Sequence, residues 1–288
     1  MYAITGITGK VGSALARELT AAGHPVRGVV RAAARAAPCV ERGCELATAR
    51  MDDATALAAA FDGAIGVFIL PPSEFDPAPG FLETRKIIDA VSEAILKARP
   101  EKVVCLSTIG AQASESNLLT QHTMMERALR AMPMPVAFLR PCWFMENAAW
   151  DVMSARDNGV IASYLQPLKK PVPMVSVADI GRVAAELLLQ TWSGVRIVEL
   201  EGPRRVSPND LALAFARVLD HPVRAEIADR QTWEALFRSQ GMTHPLLRIR
   251  MFDGLNEGWI GFESHPDEIL RGQVELDTVL GELVSRLA

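Results

Sequence analysis

The sequence predicts an α/β protein, a doubly wound parallel sheet with a smaller, mostly helical carboxyl-terminal lobe. Three observations support this. From Tyr2 to Arg140, β-prone apolar runs alternate with segments of helical period. The run from Ile65 to Leu70, IGVFIL, is apolar throughout, as a parallel strand buried on both faces requires. The chain also begins with a strand, a glycine turn and a helix in succession.

Tyr2 to Thr5 are β-prone and apolar, Gly6, Gly9 and Gly12 follow, and Leu15, Ala16 and Leu19 recur at helical spacing. Gly6 suits a sharp exit from the strand, Gly9 a close approach of backbone N–H groups to a pyrophosphate, and Gly12 tight packing of helix on sheet. The free N–H groups and positive dipole end of the helix make this turn an anion site. A second strand, Pro25 to Val30, ends at Arg31, about 20 residues past Gly12, where an NAD-selective site usually carries an acidic residue. Arginine suits a 2′-phosphate instead, with Arg35 or Lys10 as a second cation; a solvated arginine at a strand end is the alternative.

Ala32 to Arg42 then reads as a helix, Cys44 to Thr48 as a third strand, Asp53 to Phe61 as a short helix and Ile65 to Leu70 as the fourth strand, ended by Pro71 and Pro72. Phe81 to Ala98 has Ile87, Ile88, Val91, Ile95 and Leu96 on one helical face. A strand from Lys102 to Ser107, a helix from Leu118 to Ala131 and a strand from Val136 to Arg140 complete the alternation. Ligands of such sheets lie beyond the carboxyl ends of the strands, which places Leu70 to Ser73, Ser107 to Gly110 and Pro141 to Asn147 around the site. The residues expected at the dinucleotide are Gly6, Thr8, Gly9, Lys10, Val11 and Gly12, with Arg31, Arg35, Leu70, Pro71 and Ser107.

Past Phe144 the period loosens. Ser176 with Asp179 opens a helix to Leu189, Val195 to Leu200 reads as a strand returning to the sheet, and Ser207, Pro208 and Asp210 start a helix to Leu219. Another helix is expected from Thr232 to Ser239, and the tail from Pro245 as mostly helical. The division follows: residues 1–142 with 177–200 form the nucleotide-binding domain, and residues 143–176 with 201–288 the lobe.

The 288 residues carry a net charge of −4, which argues against a general attraction to nucleic acid or anionic membrane and favours a small-molecule ligand. Cys39, Cys44, Cys105 and Cys142 are irregularly spaced and read as reduced thiols, with no metal-ligand spacing among them. No apolar run reaches the ~20 residues of a membrane span, and Met1 leads straight into a core strand without room for a signal peptide, so a cytoplasmic monomer or homodimer is expected.

The stretches TGITGKVG, VVCLSTIGA, FLRPCWFMEN and VPMVSVADI resemble the NmrA-like family of atypical short-chain dehydrogenase/reductases. The resemblance implies a Rossmann domain binding NAD(P)(H), commonly NADP(H) with NAD(H) as the alternative, and a carboxyl-terminal substrate lobe. It also implies a quinone-reductase-like branch beside regulators that bind the dinucleotide without known chemistry. The superfamily's Tyr-x-x-x-Lys pair is missing, since the only tyrosines are Tyr2 and Tyr164. The helix in that place offers His122 and Glu126, spaced so that the carboxylate could hold and charge an imidazole that donates a proton. A capping or salt-bridged histidine is the structural alternative. Ser107 matches the superfamily's active-site serine in position, or else caps the loop. The family's adenine-contacting glycine-aspartate corresponds here to Ala49 and Arg50, leaving Asp52 or a stacked Arg50 for that contact. Trp143, Phe144 and Asn147 suit a flat acceptor, or else lobe packing.

Two functions follow. One is an NADPH-preferring reductase of a flat, apolar acceptor such as a quinone, azo compound or conjugated imine or carbonyl. The other is a non-catalytic NADP(H) sensor.

Overall fold

The computed structural model describes residues 1–32, 36–72 and 74–287. The first half runs β1 (Tyr2–Thr5), α1 (Lys10–Ala21), β2 (Val26–Val30), α2 (Ala37–Glu41), β3 (Glu45–Thr48), α3 (Ala54–Phe61), β4 (Gly66–Ile69), α4 (Leu82–Ala98), β5 (Lys102–Leu106), α5 (Thr120–Leu129) and β6 (Val136–Pro141). β7 (Trp143–Phe144) leads into a 3-10 segment, Met145–Trp150, then α6 (Val152–Asn158), β8 (Val160–Ser163) and β9 (Met174–Val175). α7 (Val177–Leu189) and β10 (Val195–Glu201) return to the sheet. α8 (Pro208–Leu219), β11 (Arg224–Ile227), α9 (Trp233–Ser239), α10 (Leu246–Glu257), β12 (Leu270–Arg271) and α11 (Leu276–Leu287) complete the chain.

The main sheet has the order β12-β10-β6-β5-β4-β1-β2-β3, and its pairings are parallel. The chain winds outward from β1 through β2 to β3, then crosses back to β4 and winds the other way. The switch point between β1 and β4 opens a crevice at the carboxyl ends of the strands, the usual ligand site of such sheets. This is a Rossmann-like α/β fold.

One face of the sheet packs Leu15 and Leu19 of α1 and Ile180 and Leu188 of α7. The other packs Leu57 and Phe61 of α3 and Ile88, Val91 and Ile95 of α4. Each such side chain contributes about 1.5–3 kcal/mol by leaving water. α1 and α7 approach closely because a Cβ on Gly181 would lie 2.6 Å from the Cβ of Ala14. Local signals set the helix starts. Asp53 accepts from the Ala56 N–H and Ser176 from the Asp179 N–H, and Ser207 with Asp210 forms a reciprocal capping box around Pro208.

Three details differ from expectation. Among the described residues, the helix expected from Ala32 to Arg42 is seen as α2, whose first turn contains Pro38, where a helix tolerates proline; Ala33 to Arg35 lie outside the described residues. β6 runs one residue past the expected Arg140, to Pro141 opposite Leu200. The tail is two helices separated by residues 258–275, and from this stretch β12 joins the sheet beside β10. The carboxyl-terminal part thus contributes to the main sheet as well as to the lobe.

Candidate cofactor and acceptor site

The glycine turn sits at the carboxyl end of β1. Gly6 has φ of +65°, which side chains rarely adopt, and its carbonyl accepts the Gly9 N–H at 2.9 Å. A Cβ on Gly12 would lie 2.3 Å from the Gly6 oxygen, so this contact between helix and turn requires glycine. Gly9 is different. Its backbone is extended and a Cβ there would meet only the Gly6 oxygen, at 3.2 Å, a tight contact that a shift of a few tenths of an ångström would relieve. A ligand lying against the turn would restrict the position further. Helical bonding starts with the Ser13 N–H donating to the Gly9 carbonyl, leaving the N–H groups of Lys10, Val11 and Gly12 without helical acceptors. Thr8, Gly9 and Lys10 are exposed, and Val11 and Gly12 are buried.

Leu70 and Pro71 flank this turn after β4. The Leu70 side chain packs over Gly6, and its N–H donates to Thr5 Oγ1 at 2.7 Å. Ser73 lies outside the described residues. Arg31 is exposed at the end of β2 and pairs with no carboxylate among the described residues, so its fork is open to a ligand. Arg35 lies outside the described residues. A cavity of about 70 Å³ beside the turn is lined by Thr8, Ser13, Cys39 and Arg42 among others. Arg42, a further cation at this cavity, was missed by counting only from the strand end. Arg50 and Asp52 hold each other through two bonds of 2.9 Å.

Ser107, at the end of β5, is buried and donates to Glu126 Oε1 at 2.5 Å. Both Glu126 oxygens also accept from Arg140 of β6 at 2.8 Å, and Oε2 from Arg130 at 3.2 Å. Arg140 continues to Glu263 at 2.6 Å and faces Glu199 at 3.7 Å. Glu199 in turn accepts the N–H groups of Glu263 and Ser264. Burial pushes the Glu126 carboxyl up, but the hydrogen bonds from Arg140 and Ser107 outweigh it and the net shift is downward.

His122 lies one turn earlier on α5. No hydrogen bond or ion pair joins it to Glu126, so the carboxylate does not hold the imidazole as their spacing suggests. The His122 Nδ1 is sealed from solvent without a hydrogen-bond partner. Burial lowers the ring's pKa, against the opposing effects of the Glu126 charge and the Leu106 carbonyl. Burial thus disfavours the charged imidazole at this position.

Trp143, Phe144 and Asn147 come together in a second cleft of about 110 Å³, shared with Asp151, Tyr164, Arg248 and Phe252. Tyr164 stacks on Phe252 with centroids 5.0 Å apart, and Trp143 tilts against Phe252 at 5.8 Å. Asn147 makes no side-chain hydrogen bond among the described residues. Burial pushes the Asp151 carboxyl up to about 6. Neither His122 nor Ser107 lines this cleft. Tyr164, Asp151 and Arg248 were not foreseen, because no periodicity links residues so far apart in the chain. Tyr2, the other tyrosine, is buried in β1 with its ring edge-on to His24.

Residues 2–257 match the model of the NmrA-like family. The chain belongs to that family. Among relatives, it is 26% identical to an NAD(P)H azoreductase of Xenophilus azovorans over 97% of this chain and 91% of that one. It is 28% identical to a (4-alkanoyl-5-oxo-2,5-dihydrofuran-3-yl)methyl phosphate reductase of Streptomyces griseus subsp. griseus, over 78% of this chain and 76% of the relative. Among solved structures, the NADPH complex of an NADPH-dependent quinone oxidoreductase from Escherichia coli superposes with a TM-score of 0.80 at 22% identity, covering 100% and 99% of the two chains. That likeness concerns the fold. No described helix is long and apolar enough to cross a membrane.

Proposed function

We propose that this NmrA-like protein is an NAD(P)H-dependent reductase, preferring NADPH, that transfers hydride to a small flat apolar acceptor such as a quinone, azo compound or conjugated imine or carbonyl. The observation carrying this reading is the glycine turn at the end of β1, supported by an aromatic cleft that begins at the end of β6. Gly9, where a Cβ would be much less crowded than at Gly12, fits a pyrophosphate approaching the backbone. The N–H groups of Lys10 to Gly12 would hold it, and Arg31 with Arg42 would face a 2′-phosphate. The dinucleotide supplies the hydride; Trp143, Phe144, Tyr164 and Phe252 align a flat acceptor and exclude water. The relatives' named activities, reduction of azo compounds and of an unsaturated oxofuran, belong to the same chemistry.

The test is NADPH and NADH oxidation by purified protein with 2-methyl-1,4-naphthoquinone and with azobenzene derivatives, alongside calorimetric titration of each dinucleotide. Turnover with NADPH favoured is expected. Tight dinucleotide binding without turnover of any acceptor would replace the reductase by the NADP(H) sensor, and no binding would remove both.

A further inference from the structure

Arg248, on α10, reaches into the aromatic cleft and has no carboxylate partner among the described residues. Its neighbours show how unusual this is. Arg250 pairs with Glu115 at 2.6 Å and Arg230 with Asp253 at 2.7 Å, both nearer solvent. The Arg248 fork instead lies over the Phe237 ring, 4.6 Å from its centroid, and reaches only the Met242 sulfur, at 3.7 Å. Asp151 lines the same cleft yet forms no ion pair with it. Burial lowers the Arg248 pKa, opposed by Tyr164, but a guanidinium stays charged in any protein environment. A partly desolvated cation without a counter-ion costs stability, and a ligand oxyanion would offset that cost. Stacking on Phe237 fixes the plane of the fork, so its donors are pre-organised for two oxygens.

We propose that the acceptor of this site is an aromatic or conjugated molecule bearing an oxyanionic substituent, a carboxylate, sulfonate or phosphate, which Arg248 binds while Trp143, Tyr164 and Phe252 hold the flat body. This rests on the reductase reading and narrows its substrate class. It also makes Arg248 a specificity-determining residue: the charge selects among acceptors, and the hydride comes from the cofactor whichever acceptor is bound.

The experiment compares azobenzene-4-carboxylate with azobenzene-4-carboxamide, nearly the same shape without the charge. kcat/KM for both is measured with NADPH on the wild type, Arg248→Met and Arg248→Lys. Calorimetry follows binding of the carboxylate to the NADP⁺-loaded protein. The wild type should favour the carboxylate. Arg248→Met should cut the carboxylate-to-carboxamide ratio about tenfold or more, while Arg248→Lys, which keeps a charge but loses the fork, should fall between them. Thermal melts confirm that each variant folds, and the lysine variant provides the comparison if methionine does not. A ratio unchanged in both variants, with the carboxamide still reduced, overturns the oxyanion site and leaves the reductase reading intact. Arg248-dependent binding of the carboxylate without turnover supports the oxyanion site and removes the reductase reading. Failure of the wild type to bind the carboxylate overturns the proposal.

Discussion

Replacing Arg140 by methionine tests whether the buried charge cluster behind β5 and β6 holds α5 in place. Arg140 has a side-chain exposure of 1%, and its partners Glu126 and Glu199 of 3% and 0%. Methionine fills most of the volume but leaves both carboxylates without their shared cation, and breaking a buried pair in this way typically costs 3–5 kcal/mol, about the loss expected here. For a chain of this size that is a fall in Tm of about 6 to 20 °C. The pH dependence gives the sharper check. In the wild type the Glu126 carboxyl is depressed, so its stabilisation is present above the ordinary carboxylate range and is lost only as pH falls through the lowered value. In the variant, burial without Arg140 raises the same carboxyl, and protonation relieves the penalty, by about 1.36 kcal/mol for each unit that its pKa rises. The deficit measured by urea unfolding should therefore be largest near pH 7.5 and shrink toward about pH 5. A deficit below about 1 kcal/mol, or one equal at both pH values, would refute the reasoning.

Three further outcomes are expected. Gly9→Ala, whose Cβ would press on the Gly6 oxygen at 3.2 Å, should cost little Tm and lose NADPH affinity by calorimetry, whereas Gly12→Ala, whose Cβ would lie 2.3 Å from the same oxygen, should lower Tm far more; equal Tm losses would separate the turn from any ligand role. Arg31→Ala should weaken NADPH by about ten- to a hundredfold and leave NADH nearly unchanged, as loss of one charged hydrogen bond to the 2′-phosphate implies; equal losses for both dinucleotides would end that assignment. His122→Ala should change the turnover of azo and quinone acceptors alike only slightly near neutral pH, because the imidazole does not line the acceptor cleft and burial lowers its pKa; a loss of ~100-fold or more confined to the azo acceptor would make it a general acid instead.

Much of the fold was legible because its signals are local. Glycine spacing, Asp53, Ser176 and the Ser207–Asp210 box act within a few residues, and a fully apolar run such as IGVFIL announces a central strand. β12 was not legible, since two residues carry no period and only its partner β10 defines it. The glycine turn was readable for the same reason as the caps. The Arg140 cluster was not, as it joins residues from β5, α5, β6, β10 and the stretch after α10. Yet one hint was present: an arginine inside the apolar run VAFLRP must find an anion, and VELE supplies Glu199 at the register position opposite it. His122 and Glu126 share a helix face by spacing, but spacing says nothing of a competing guanidinium on the neighbouring strand. The acceptor cleft was half readable, through Trp143, Phe144 and Asn147, which follow a strand end directly. Arg248 enters it only because α10 folds back over them.

The two-residue β12 also acts as a seal. It covers the Leu200–Glu201 end of β10, the Gly272 N–H donates to the Glu201 carbonyl, and Asp179 fastens the following turn by accepting from Gln273 and Val274. A chain shortened to residues 2–257, the span that matches the family model, would lose that seal together with α11. It would present the inner end of β10 as an unpaired rim, which invites another chain to add a strand. The last thirty or so residues thus cover the Leu200–Glu201 end of β10 on that side of the strand.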